Sequence, residues 1–214
     1  VAIGAPRLDR MGVTDEGGVH VLFGFGTGCT SATPTSIVLR PMDRTVLAGA
    51  SVAGGVDLDG GGQPDLVVGA PRFVTTIGEV GRVYVLSGER ILAQRAATAD
   101  VTFATVAIAG TWFVDGGGAG ERLGTSVAIL ADAGTAGADL VVASGLYANL
   151  GGTPNSGGAR MFPVARTTGF GASFALVAGE TTGAYPELGA SLSVIGTGAS
   201  ARLAIGASWG SGEV

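Results

Sequence analysis

The stretch LAGASVAGGVDLDGGGQPDLVVGAPR, Leu47 to Arg72, decides the fold because both of its ends recur along the chain. The first end returns as RLGTSVA (Arg122 to Ala128) and ELGASLS (Glu187 to Ser193). The last end matches VAIGAPR (Val1 to Arg7), LVVASG (Leu140 to Gly145) and LAIGAS (Leu203 to Ser208). A third element follows, GRVYVLSG (Gly81 to Gly88), with counterparts GGVHVLFG (Gly17 to Gly24) and GGARMFPV (Gly157 to Val164). The order of the three never changes, and Ser51, Ser126 and Ser191 mark units spaced by 75 and 65 residues.

Each unit also holds a fourth apolar segment: TSIVLR (Thr35 to Arg40), VTFATVAIAG (Val101 to Gly110) and SFALVAG (Ser173 to Gly179). Four short strands per repeat is the pattern of a β-propeller blade. One such sheet cannot bury both faces alone, so neighbouring units must stack. The small residues in GAP and GAS let strands converge near a crowded axis. The alternation in VHVLF and VYVL suits a strand packed between two sheets.

Composition supports an all-β chain. Forty glycines without a G-X-Y period exclude collagen, and each glycine disfavours a helix interior by roughly 1 kcal/mol. No window of ordinary helix length carries a clean 3.6-residue apolar stripe. The longest apolar stretch, Val101 to Val114, is broken by Thr102, Thr105, Gly110 and Thr111, well short of the ~18 residues of a membrane span. Lysine is absent, and the twelve arginines are dispersed on a chain of net charge −5. Nucleic acid is therefore an unfavoured partner, since phosphate neutralisation requires clustered cations. Cys29 stands alone, so there is no internal disulfide. Val1 begins inside a strand-like run, which reads as a fragment or processed chain. The alanine, glycine and arginine bias without lysine hints at a GC-rich bacterial source.

The L-G-x-S-V, D-L-V-V-G-A-P and G-x-V-Y-V-L series resembles the FG-GAP repeat of the integrin α-subunit N-terminal propeller and its bacterial relatives. The resemblance covers essentially the whole chain. It implies a β-propeller of about seven four-stranded blades, of which this chain holds two complete repeats and two partial ones. The boundaries expected are 1–40 for a partial blade, 41–110 and 111–179 for full blades, and 180–214 for another partial blade. By resemblance the chain is a non-catalytic module of an extracellular or cell-surface protein, acting in adhesion or recognition and presenting its loops to a protein or glycan ligand.

Between the G-x-S and GAP elements lies DLDGGGQPD, Asp57 to Asp65, three carboxylates in a glycine-rich window. The family's loop at this place often has the form D-x-[DN]-x-D-G-x-x-D and holds Ca2+. Asp57, Asp59 and Asp65 match its positions 1, 3 and 9, and Gln63 falls where a backbone carbonyl serves. Gly61 at position 5 offers no side-chain oxygen, so the implied site is weak, of order 10⁻⁴–10⁻³ M. A solvated acidic turn is the alternative. The other copies lack the set: Ala131, Ala133 and Thr135 replace all but Asp139 in one, Val194 and Arg202 stand in the next, and one calcium site is expected.

Enzyme motifs fare poorly. GASWG (Gly206 to Gly210) imitates a nucleophile elbow, but such enzymes need a histidine after the serine, and the one histidine is His20. GFGTGC (Gly24 to Cys29) lacks the third glycine of a dinucleotide loop. One histidine and one cysteine cannot make a zinc site. Asp115, Glu121, Glu180 and Glu187 leave a secreted hydrolase, or an accessory domain of one, as the alternative function. Trp112 and Trp209 are read as packing between blades.

Overall fold

In a computed structural model of the chain, the described residues are 1–10, 12–24, 35–44, 46–132, 139–145, 157–178, 186–196 and 200–209. The β-branched and leucine runs become strands and the glycine-rich joins become turns. The first sheet holds β1 (Ala2–Gly4), β2 (Val19–Leu22) and β3 (Ser36–Arg40) as an antiparallel meander. The second begins with β4 (Ser51–Gly54) and β5 (Leu66–Ala70), followed by the small hairpin β6 (Val74–Thr75) and β7 (Gly78–Glu79) and then β8 (Arg82–Leu86). Strand β5 is buried along its whole length, as expected of a strand covered on both faces.

The segment after β8 departs from expectation. VTFATVAIAG does not supply the fourth strand of the second sheet. After helix α1 (Gly88–Ala93), Val101–Thr102 form β9, which pairs in parallel with β3 of the first sheet, and Phe103–Val106 form helix α2. The fourth strand is β10 (Phe113–Asp115), antiparallel to β8. The reason lies in the apolar spacing: Phe103 and Val106, three apart, share one face of the helical turn, and both are fully buried. Phe103 meets Tyr84 edge-on at 5.0 Å.

The third sheet runs β11 (Ser126–Leu130), β12 (Asp139–Gly145), β13 (Gly158–Ala165), with β14 (Gly169–Phe170) and β15 (Phe174–Ala178) both pairing β13. The fourth sheet is the pair β16 (Pro186–Ile195) and β17 (Arg202–Trp209). The expected alignment of LVVASG slips by one. Ser51 stands opposite Gly69 and Ser191 opposite Gly206, but Ser126 stands opposite Ser144, not Ala143.

The sheets stack in chain order through three apolar layers. Val19, Leu39, Val68, Tyr84 and Phe103 fill the layer between the first and second sheets. Leu58, Val67, Val83, Leu123 and Phe162 fill the next. Leu130, Val142, Leu192 and Leu203 fill the third. Trp112 touches the first two layers, so it packs between sheets as expected. No helix among the described residues is long and apolar enough to cross a membrane.

The repeated motifs are the joints between these sheets. Gly17, Gly81 and Gly157, which open the third element, each form a parallel bridge to the residue before the motif glycine of the next sheet: Ala48, Leu123 and Leu188. Gly81 has φ +77°, and a Cβ there would overlap the Leu123 backbone, so both conformation and space demand glycine. A serine hydroxyl closes two of these joints: the motif serine Ser51 donates its Oγ to the Gly124 carbonyl at 2.8 Å, while at the next joint Ser144, opposite the motif serine Ser126, donates its Oγ to the Gly189 carbonyl at 2.6 Å. Ser51→Ala is therefore expected to cost about 1 kcal/mol, read as a lower denaturation midpoint at unchanged slope.

Candidate metal site

The acidic loop hangs between β4 and β5, the end of one strand and the start of its antiparallel partner. Leu58, the residue between the first two aspartates, is buried between the second and third sheets and pins the loop from beneath. The alternation Asp57–Leu58–Asp59 thus turns one apolar side chain inward. That anchor was missed in the sequence, where only the carboxylates were read, although the D-L-D pattern carries the signal.

The three aspartates come together: Asp57, Asp59 and Asp65 each place a carboxylate oxygen within 4.8 Å of the others. The loop backbone bends around them. The Gly60 and Gly62 N–H groups donate to Asp57 Oδ1 and Oδ2 at 2.7 and 3.0 Å, and the Gly61 N–H donates to Asp59 Oδ1 at 2.8 Å. Gly60 and Gly62 hold φ of +77° and +86°, the left-handed values that such a wrap needs.

Asp65 is the structural centre. Its side chain is 1 % exposed, and its carboxylate accepts N–H groups from Leu58 (2.8 Å), Asp59 (2.9 Å) and Gly88 (2.8 Å). Those bonds join loop entry, loop exit and the start of α1 through one residue. Burial pushes the Asp65 carboxyl up to about 6, with the Asp59 charge adding to the rise, against the downward pull of the three N–H donors.

The donor set fits a hard divalent cation. A carboxylate offers about four lone-pair sites, and the N–H groups take two of those on Asp57, one on Asp59 and three on Asp65. Oxygen therefore remains on every aspartate, and calcium takes six to eight such ligands in tolerant geometry. Gln63 and Gly61 are exposed on the loop's outer side. Gln63 and Pro64 also border a cleft of about 590 Å³ between the first and second sheets, with Phe23, Val52 and Ile91 on its walls.

Two neighbours of the loop were not foreseen. Glu89, in the first turn of α1, reaches over Gly61, and Arg166, from the turn between β13 and β14, lies on Gly60. Neither is near the loop in sequence. The other copies differ: in one, Asp139 Oδ1 accepts the Asp132 N–H at 2.9 Å, and residues 133–138 lie outside the described residues. In the last copy Arg202 opens β17 opposite Ile195. Among the described residues, Asp57, Asp59 and Asp65 form the one cluster of this kind.

Two of the carboxylates considered for hydrolysis, Asp115 and Glu121, are held by arginines. Asp115 makes a two-pronged pair with Arg82, Nε to Oδ1 at 2.5 Å and Nη2 to Oδ2 at 2.9 Å. The same guanidinium lies over the Phe73 and Phe113 rings. Glu121, 3 % exposed, pairs with Arg160 at 3.1 Å and accepts the N–H groups of Gly117 and Gly118. Glu180 and Cys29 lie outside the described residues, and of the Glu187 carboxylate nothing is described. Gly206 to Trp209 continue β17 as extended strand where a nucleophile elbow would turn into a helix, Gly210 lying outside the described residues, and His20 sits in β2 opposite Ile3 and Val38.

Residues 48–86, from the β4 joint through the acidic loop to the end of β8, match the family model of the FG-GAP repeat. No curated protein gives a significant match to the chain.

Proposed function

Because the chain carries an FG-GAP repeat, a module that builds β-propellers, we propose that it is a segment of an extracellular, non-catalytic propeller of about seven blades. In this reading the chain serves adhesion or recognition, presenting its inter-strand loops to a protein or glycan. One Ca2+ ion held by Asp57, Asp59 and Asp65, with backbone oxygen from around Gly61 and Gln63, rigidifies the loop between β4 and β5. Bound there, the ion supplies charge neutralisation and cross-linking, not chemistry on a substrate.

The observation that carries the reading is the convergence of the three aspartates inside the one stretch that matches the repeat. Like charges so close repel, and a divalent cation removes the repulsion. FG-GAP repeats also recur in extracellular proteins, where free calcium is abundant enough to fill a weak site. Isothermal titration of the chain with calcium is expected to give one site with Kd of order 10⁻⁴–10⁻³ M. D57N/D59N should abolish the heat, and a wild-type chain without heat would sink the calcium reading. Recognition is tested on a glycan array and by protein pull-down, with and without chelator; a ligand lost on chelation ties recognition to the loop.

A further inference from the structure

Two joints of the stack carry a hydroxyl, and the first does not. At the second joint the Gly124 carbonyl lies against Gly69 and accepts Ser51 Oγ, and at the third the Gly189 carbonyl accepts Ser144 Oγ. The Gly49 carbonyl lies against Gly4 in the same way. A Cβ on Gly4 would overlap it, just as one on Gly69 would overlap the Gly124 carbonyl. Yet the Gly49 carbonyl accepts no hydrogen bond from the described residues. The first joint is thus open at the place where a serine hydroxyl closes the others.

The strand edge beside that carbonyl is open as well. In the second sheet Ser51 reaches its acceptor from β4, which pairs the edge of β5 with Ser51 opposite Gly69 and Ala53 opposite Val67. The matching edge of β1 pairs with no strand among the described residues. Val1 and Ala5 exchange backbone bonds with Leu22 and Gly18 on the other side. The alternation of an antiparallel ladder therefore turns the N–H and C=O groups of Ala2 and Gly4 outward along the open edge. A row of such groups pairs readily with an added strand.

The cleft between the first and second sheets completes the same site. Aligning the repeats puts Ala2, Val21 and Val52 in the places of Val67, Val85 and Val127. The latter three share the apolar layer that holds Leu58, the anchor of the acidic loop. The former three line the cleft. Val67 and Val127 are buried, whereas Ala2 and Val52 are half-buried. We infer that the first sheet is a receptor for one kind of partner, an extended segment carrying a serine and, seven residues on, an aliphatic side chain, as Ser51 and Leu58 stand here. The partner's strand pairs β1, its serine donates to the Gly49 carbonyl, and its aliphatic anchor fills the cleft as Leu58 fills the next layer. The inference stands on the internal repeats and does not need the calcium reading.

The test offers the whole chain a synthetic peptide of the sequence Leu47–Asp65, in chelator, and reads binding by titration and by amide exchange. Saturable one-to-one binding is expected, with exchange slowed at the Ala2 and Gly4 amides. Changing the peptide's leucine (L58A) should weaken binding about tenfold or more, because the anchor loses its buried apolar surface. Changing its serine (S51A) should weaken binding about fivefold. In the chain, A2W fills the cleft and should abolish binding. The peptide variants are read on the unaltered chain, so they decide the matter even where A2W fails to fold. No binding, or binding indifferent to either peptide change, overturns the inference and leaves the calcium reading standing. Binding without new protection at Gly4 means that the peptide exchanges with β4, and it overturns the inference too. Sedimentation of the chain alone adds a last outcome: a dimer that the peptide does not dissociate assigns this face to a second copy and overturns the inference.

Discussion

Gly69→Ala is expected to destabilise the chain by about 3 kcal/mol or more, lowering the thermal midpoint by roughly 6–12 °C. Gly69 sits in the middle of β5, where glycine is a poor strand residue on propensity alone. Its reason is the neighbouring sheet: a Cβ there would overlap the Gly124 carbonyl and crowd Ser51 Oγ. Neither can yield cheaply. The carbonyl belongs to the turn that opens β11, and Ser51 Oγ is donating to that same oxygen at 2.8 Å. The two sheets would have to part along an apolar layer that includes Val67, Val83 and Leu123. Scanning calorimetry checks the shift.

A second variant separates steric from hydrogen-bonding causes. At the next joint the corresponding residue is Ser144, whose own hydroxyl donates to the Gly189 carbonyl. The double change G69S/S51A transfers that arrangement to the earlier joint, with the hydroxyl now coming from the second strand. It should recover part of the loss seen in G69A. An equal or greater loss would show that the spacing of the two joints, rather than the hydroxyl's origin, decides the cost.

Much of this was legible because repetition supplies its own controls. The G-x-S, GAP and G-x-V-x-V elements fixed strand order, and their glycines and serines proved to be the places where sheets touch. Asp57, Asp59 and Asp65 were legible for the same reason, standing together at a loop position where one other copy keeps a single matching aspartate, Asp139, and another has none. What failed was non-local. The spacing of VTFATVAIAG suits a strand or a helical turn, and the packing of Phe103 on Tyr84, distant in sequence, favours the turn that buries Phe103 and Val106 together. The one-residue slip at Ser144 is set by pairing with Ser126, which no residue of LVVASG announces. Glu89 and Arg166 lie far from the loop in sequence, so no motif could place them. Leu58 was readable in principle, as an apolar residue between two carboxylates.

Asp65 links the proposed calcium site to stability in a way that pH reveals. Its folded carboxyl is pushed up to about 6 from an ordinary 3.8, so in the calcium-free chain the folded state holds a proton that the unfolded state releases. The group's contribution is fully present below its unfolded value and is lost as pH rises through about 6. That loss is on the order of 2–3 kcal/mol, since each tenfold difference in proton affinity between the two states is worth about 1.4 kcal/mol. Calcium works in the opposite direction. It needs the ionised carboxylate, so its binding strengthens as pH rises through the same range and offsets the loss. With calcium at about 5 mM and Kd near 5 × 10⁻⁴ M, binding adds about 1.4 kcal/mol near pH 7.5, or roughly 3–6 °C in the thermal midpoint. Near pH 5 the added stability should fall to about 0.4 kcal/mol, because the proton occupies most of Asp65 and weakens calcium about tenfold. Asp65→Asn keeps the size and removes the titration; its NH2 must face one of the N–H donors, which lowers stability equally at every pH, and it should show neither the fall with pH nor the calcium gain. Thermal melts of both proteins at the two pH values, with calcium and with chelator, decide the matter. A calcium gain that persists undiminished near pH 5, or survives in D65N, would mean that the ion is held without Asp65.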